Sequence, residues 1–211
     1  MQRSLIVEKV LSAASSIARK HANCKHAVLN DLATALYGLV KPIDEARFIV
    51  ETNCAEEVVG TLLGGFGVEE HYSEAISRLR EQGLVAVSTR FYPLLVIEVA
   101  RSPVDFALVE SAIDVQINGY VLRIPRPPHL VAKMASLNMY PYVEYACSLL
   151  ASWIKRLDLD EVISLLLLAR VDLNKLAEKL SILLELLQAF PEYESERTLL
   201  AKFVEELKSR R

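Results

Sequence analysis

The last change in the spacing of apolar residues along this chain falls at three prolines. Between Leu84 and Ile124 the apolar residues form short runs rich in Val, Ile and Leu. Leu84–Thr89, Leu94–Ala100 and Val104–Val109 read as strands. Asn118-Gly119 is the strongest hairpin signal, because both residues tolerate the positive φ of a tight turn. It joins Ile117 to the strand Tyr120–Ile124. Pro125, Pro127 and Pro128 stop that strand. From His129 onward the period is helical only. Helices are predicted over about 129–137, 142–156, 159–169, 172–189 and 192–209, punctuated by Asp158 to Asp160 and by Pro191.

Ahead of the strand-rich stretch, helices and strands alternate. Leu5, Ile6, Val10, Leu11, Ala14 and Ile17 give residues 2–22 one apolar helical face. Ala27-Val28-Leu29 and Phe48-Ile49-Val50 read as short buried strands. Between them Asn30-Asp31 is expected to cap a helix with Leu32, Ala35, Leu36 and Leu39 inward, ended by Lys41-Pro42. A helix from Cys54 to Leu63 should close at Gly64-Gly65, and one over 69–82 at Gly83. The fold class expected is α+β: a mixed sheet of about five or six strands flanked by helices, then a helical C-terminal region. This places one domain over residues 1–128 and the helical region over 129–211.

Composition narrows the function classes. Hydrophobic residues make up 52% of the 211, which excludes disorder as the dominant state. Seven Gly and three Cys exclude collagen-like and disulfide-scaffold chains. The net charge of −3 gives no indication of nucleic acid as a partner. Lys208, Arg210 and Arg211 read as a frayed tail. Cys24, Cys54 and Cys147 are odd in number, far apart and without a CxxC, so they read as small buried apolar residues in a reducing cytoplasm. The most apolar run, Val162–Ala169, is too short to span a bilayer, so no membrane partner is expected. Leu165, Leu166, Leu168, Leu173, Leu176, Leu180, Leu183, Leu184 and Leu187 form a broad apolar face. It either packs internally or joins two subunits in a homo-oligomer.

Motif searching removes several chemistries. Gly65-Phe66-Gly67 lacks the third glycine of a dinucleotide loop, since Glu70 stands there, and reads as a helix-ending turn. His21, His26, His71 and His129 have no metal-ligand spacing, and neither GxSxG nor HExxH occurs.

One pattern is more specific. Val28-Leu29, then Leu32-Ala33-Thr34-Ala35-Leu36-Tyr37-Gly38, Lys41-Pro42 and Phe48-Ile49-Val50 come in that order. Val104-Asp105-Phe106-Ala107-Leu108, the hairpin from Asn118 to Pro127, and His129-Leu130-Val131-Ala132-Lys133-Met134-Ala135 come next. The order resembles the nucleotidyltransferase superfamily with the DNA polymerase β-like core. It is similar to the toxin-type enzymes of abortive-infection pairs and their archaeal relatives. The resemblance covers residues 5–155. It implies a nucleotide site at a glycine pair, two Mg²⁺ ions on an Asp-x-Asp and a third carboxylate, and a basic later helix.

The departures fall where that chemistry should be. Asn30-Asp31 stands at the glycine pair, whose lack of side chains admits phosphates. Glu45-Ala46-Arg47 stands at the Asp-x-Asp, and reading Asp44 as first ligand puts Ala46 in second place. Asp105 takes the third carboxylate position. Tyr140-Pro141-Tyr142-Val143-Glu144 replaces the charged pattern of the later helix, where Lys133 alone keeps its place. Arg47 is expected to stand in for the metal by pairing with Asp105 or Glu45 across adjacent strands. The resulting expectation is a fold without its reaction: catalytic positions Glu45, Arg47 and Asp105 as relics, weak nucleotide contacts at Asn30, Asp31 and Lys133, and no cofactor. Such a protein would bind or assemble with a nucleotide, a protein partner or its own copy. The alternative is an active enzyme moving a nucleotidyl group from an NTP to a protein or RNA acceptor, with Glu45 and Asp105 holding Mg²⁺. A third reading keeps the fold with an unrelated regulatory role.

Overall fold

Alternation along one strand, Glu45–Val50, sets the two sides of the N-terminal sheet. Ala46, Phe48 and Val50 point to one side and are fully buried, while Glu45 and Arg47 point to the other. The computed structural model describes residues 2–39, 43–89 and 94–210, with side chains except at residues 2–6 and 70. The chain is α+β and divides into two compact units, Met1–Arg126 and Pro127–Arg211.

The first unit holds β1 (His26–Leu29), β2 (Glu45–Val50), β3 (Leu84–Val87) and β4 (Leu94–Val99) in the order β1-β2-β4-β3. β1 and β2 are antiparallel, β2 and β4 parallel, β4 and β3 antiparallel. The sheet is therefore mixed, as expected. Its apolar side packs on α1 (Gln2–Lys20), α3 (Ala55–Phe66) and α4 (Tyr72–Gln82) through Val10, Ile17, Val59, Leu62, Leu63 and Leu79. β5 (Ile113–Ile117) and β6 (Tyr120–Ile124) form a separate two-stranded sheet. Its turn has positive φ at both Asn118 and Gly119, the geometry that their sequence announces.

Four expectations are corrected. Val104–Val109 is not a strand but lies in α5 (Pro103–Ser111). Ser102 and Asp105 form a reciprocal capping box with Pro103 in the first turn, and this start signal outweighs the strand propensity of the valines. With that segment helical, the strands form sheets of four and two. Gly64 and Gly65 lie inside α3, which ends at Gly67 with φ 70°. A Cβ on Gly65 would lie 3.2 Å from the Ala13 Cβ, so the glycine serves the close approach of α1 and α3. The helix α2 (Asn30–Leu36) has Leu29 as its cap residue, with no side-chain cap from Asn30 or Asp31. Lys41 and Pro42, expected to end it, lie outside the described residues, as does Arg211. Cys24 and Cys54 are not separate thiols but a disulfide, with Cα atoms 5.9 Å apart. The β1–β2 pairing brings these residues together across 30 positions of sequence.

The second unit is helical. It comprises α6 (Pro127–Ser136), α7 (Tyr142–Trp153), α8 (Leu159–Leu168), α9 (Leu173–Leu187) and α10 (Glu194–Ser209). Asp158 and Asp172 cap α8 and α9 by accepting backbone N–H bonds. Leu149, Leu150, Leu166, Leu180, Phe203 and Leu207 are buried, and α9 packs on α7 and α10. Leu168 is exposed and Leu183, Leu184 and Leu187 are half-buried, so the apolar face is only partly covered. Among the described residues, no helix is long and apolar enough to cross a membrane.

Candidate functional site

The candidate site is the polar side of β2, where β1 ends and β2 begins. Asn30 follows β1 directly and has φ 48°, in the left-handed region that Asn tolerates better than most residues. It is buried, and its Nδ2 donates to Glu45 Oε1 at 2.6 Å. Its Oδ1 is buried without a hydrogen-bond partner among the described residues. Asp31 reaches back over the connection. Its Oδ2 accepts the backbone N–H groups of Asp44 at 2.9 Å and Glu45 at 3.0 Å. Asn30 and Asp31 thus hold the start of β2 in place.

Arg47 lies two residues along the same side of β2. Its Nε donates to Glu45 Oε1 at 3.1 Å and its Nη2 to Glu45 Oε2 at 3.2 Å, a two-point pairing. Nη1 donates to Glu98 Oε2 at 3.4 Å. Glu98 is on β4, opposite Ile49, and so shares the polar side. The three side chains are only 11%, 13% and 9% exposed for Arg47, Glu45 and Glu98. One guanidinium therefore bridges two carboxylates in a poorly hydrated place, where each attraction is worth more than in water.

Arg47 pairs with Glu45 within one strand, and not across adjacent strands as expected. The acid on the adjacent strand is Glu98, which sequence reasoning missed. Its signal was available: Leu-Leu-Val-Ile-Glu-Val carries one charge inside an otherwise apolar run. A buried parallel strand normally has none. Asp105 is on the first turn of α5, where its Oδ2 accepts from Ser102 N at 3.0 Å and Arg101 N at 3.2 Å. Lys133, in the second unit, is buried in α6. In the same unit Glu144 pairs with Lys179 at 3.0 Å.

In the first unit, three histidines have partners of their own. His21 Nε2 is 2.8 Å from Thr61 Oγ1, and His71 is 4.0 Å from Glu74. His26 Nδ1 is 2.9 Å from the Cys24 carbonyl oxygen. Burial holds its imidazole below the ordinary 6.5, because the charged form is poorly solvated there. Burial likewise pushes the Cys147 thiol up to about 12, so it is unreactive at neutral pH.

No protein-family model matches the chain, and a comparison with curated proteins finds no match. Among solved structures the chain is similar to an antigenic nucleotidyltransferase-like protein from Paracoccidioides brasiliensis. That similarity has 12% identity and a TM-score of 0.39, over 91% of this chain and 93% of the other.

Proposed function

We propose that this chain is a nucleotidyltransferase-like protein that no longer transfers nucleotides and serves as a binding or assembly module. The observation that carries the reading is the guanidinium of Arg47 between Glu45 and Glu98. These carboxylates lie on neighbouring parallel strands and share that one cation. Mg²⁺ binds in near-ideal octahedral geometry with oxygen ligands at about 2.0–2.1 Å. Glu45 Oε1 instead accepts from Asn30 and Arg47, and Oε2 accepts from Arg47. Arg47 also brings a fixed positive charge to the ion's place. The residues do not fit the ion.

The assembly role is supported by the second unit. Ile182, Leu186, Phe190 and Tyr193 are 45–62% exposed although large and apolar. Phe190 and Tyr193, with Leu183 and Leu187, line a cavity of 430 Å³. Apolar side chains gathered this way suit contact with another protein surface.

Titration calorimetry of the full chain with Mg²⁺ or Mn²⁺, then with each NTP, tests the reading. No ion-dependent binding is expected in the wild type, and Arg47→Asp should gain ion affinity. Ion-dependent NTP binding that is lost in Glu45→Ala and Glu98→Ala would overturn the proposal. The alternative, a transferase acting on a protein or RNA acceptor, would then stand and be tested by transfer of a labelled nucleotide.

A further inference from the structure

We propose that Cys24, Cys54 and Glu51 form a redox-gated site for a soft divalent cation of the Zn²⁺ type. The site is independent of the function proposed above and lies at the other end of the same strand pair. Cys24 precedes β1 by two residues, and Glu51 and Cys54 follow β2 by one and four. The antiparallel pairing of His26 with Val50 brings the three together. The two sulfurs are held together by their own bond, and a Glu51 carboxylate oxygen lies within 4.8 Å of both. Cys54 Sγ is 3.8 Å from Glu51 Oε1.

The carboxylate is already oriented. Lys25 N donates to Glu51 Oε1 at 2.8 Å, and Glu51 N donates to the Lys25 carbonyl at 2.9 Å. Ligating carboxylates are commonly held by an outer hydrogen bond of this kind. Two thiolates and one carboxylate favour Zn²⁺ over Mg²⁺ or Ca²⁺, because soft sulfur ligands select the softer ion. Three protein ligands leave the fourth tetrahedral position to water. Glu51 and Cys54 are half-buried, which gives an ion a way in, while Cys24 is buried beneath them.

The disulfide and the metal use the same sulfurs, so each excludes the other. Two small thiols reduce the Cys24–Cys54 bond. They supply two electrons and two protons and leave as their own disulfide. Cys24 and Cys54 become thiols. The cation then displaces one proton from each and binds two thiolates, without changing its own oxidation state. Reoxidation by a small disulfide returns two electrons to that disulfide, re-forms the protein bond and releases the ion.

The test titrates the full reduced chain with Co²⁺ alone, followed by displacement with Zn²⁺. One Co²⁺ per chain should bind with a thiolate-to-cobalt charge-transfer band, which carboxylate ligation at Glu45 and Glu98 cannot produce. Zn²⁺ should abolish the band. The oxidised wild type should show none, and this control needs no substitution. Cys24→Ser and Cys54→Ser should each lose the band, Cys147→Ala should keep it, and Glu51→Gln should bind at least about 10-fold more weakly. No band in the reduced chain, or a band that survives in both cysteine variants, overturns the site. Unchanged affinity in Glu51→Gln overturns the three-ligand assignment.

Discussion

Replacing Arg47 by Met should destabilise the N-terminal unit more than any other single change at this site. The substitution keeps an unbranched side chain of similar length and removes the cation. Glu45 and Glu98, at 13% and 9% side-chain exposure, would then lack the guanidinium that now bridges them. Removing one partner of a buried ion pair costs about 3–5 kcal/mol, because the remaining charge stays desolvated. Most of this should come from Glu45, whose two contacts are 3.1 and 3.2 Å against 3.4 Å for Glu98. Arg47→Lys should recover only part of the loss, since an ammonium cannot reproduce the two-point pairing. Neutralising both acids in the Met background, with Glu45→Gln and Glu98→Gln, should recover much of it. Urea unfolding followed by circular dichroism measures each variant, and Mn²⁺ added to Arg47→Met should restore stability in proportion to its binding. A loss below about 1 kcal/mol for Arg47→Met, the range of exposed pairs, would refute the reasoning. Arg47 would then be a solvated side chain with no claim to the ion's place.

Asp105→Ala should cost about 0.5–2 kcal/mol through the lost α5 capping box and leave divalent-ion binding unchanged, read by unfolding and calorimetry. The folded-state pKa of His26 is lowered, so the unfolded chain takes up a proton first on acidification. Its contribution to stability should be complete above about pH 6.5 and decline as pH falls toward the folded-state value, and His26→Gln should flatten that slope in urea midpoints. Thiol titration of the unreduced chain should find no reactive thiol when folded and one, Cys147, in denaturant. Tyr37→Phe should cost about 1 kcal/mol in urea unfolding, because the Tyr37 hydroxyl donates to the Pro125 carbonyl at 2.6 Å.

Where apolar period and local punctuation agreed, the sequence was readable. The C-terminal helices follow their leucine spacing, and Asp158 sits at a cap. The β5–β6 turn follows from Asn118-Gly119. Val104–Val109 misled because its valines favour a strand while Ser102-Pro103 starts a helix, and the local capping chemistry won. That error also misplaced the adjacent-strand acid, since Glu98 was read as part of an apolar strand and not as a site residue. Arg47 was legible as a cation among acids, and its attachment to Glu45 needs only two residues of one strand. Its second partner depends on the parallel register of β2 with β4, which no local pattern encodes. The disulfide was illegible for a similar reason: its cysteines meet only through long-range pairing.

The Asp31 carboxylate bears on how this chain could change length. It grips the amides of Asp44 and Glu45, so that grip fixes the start of β2. Residues inserted after Gly38, which is exposed, would cost loop-closure entropy, about 0.6 kcal/mol for each doubling of the loop, and the Leu39 N–H bond to the Thr34 carbonyl. Arg47 would keep its side of the sheet. A single residue inserted between Glu45 and Arg47 would instead turn one of them into the apolar core. The same short segment of sequence thus contains a place open to evolutionary insertion or an engineered tag, and a few residues on a place where one extra residue is ruinous.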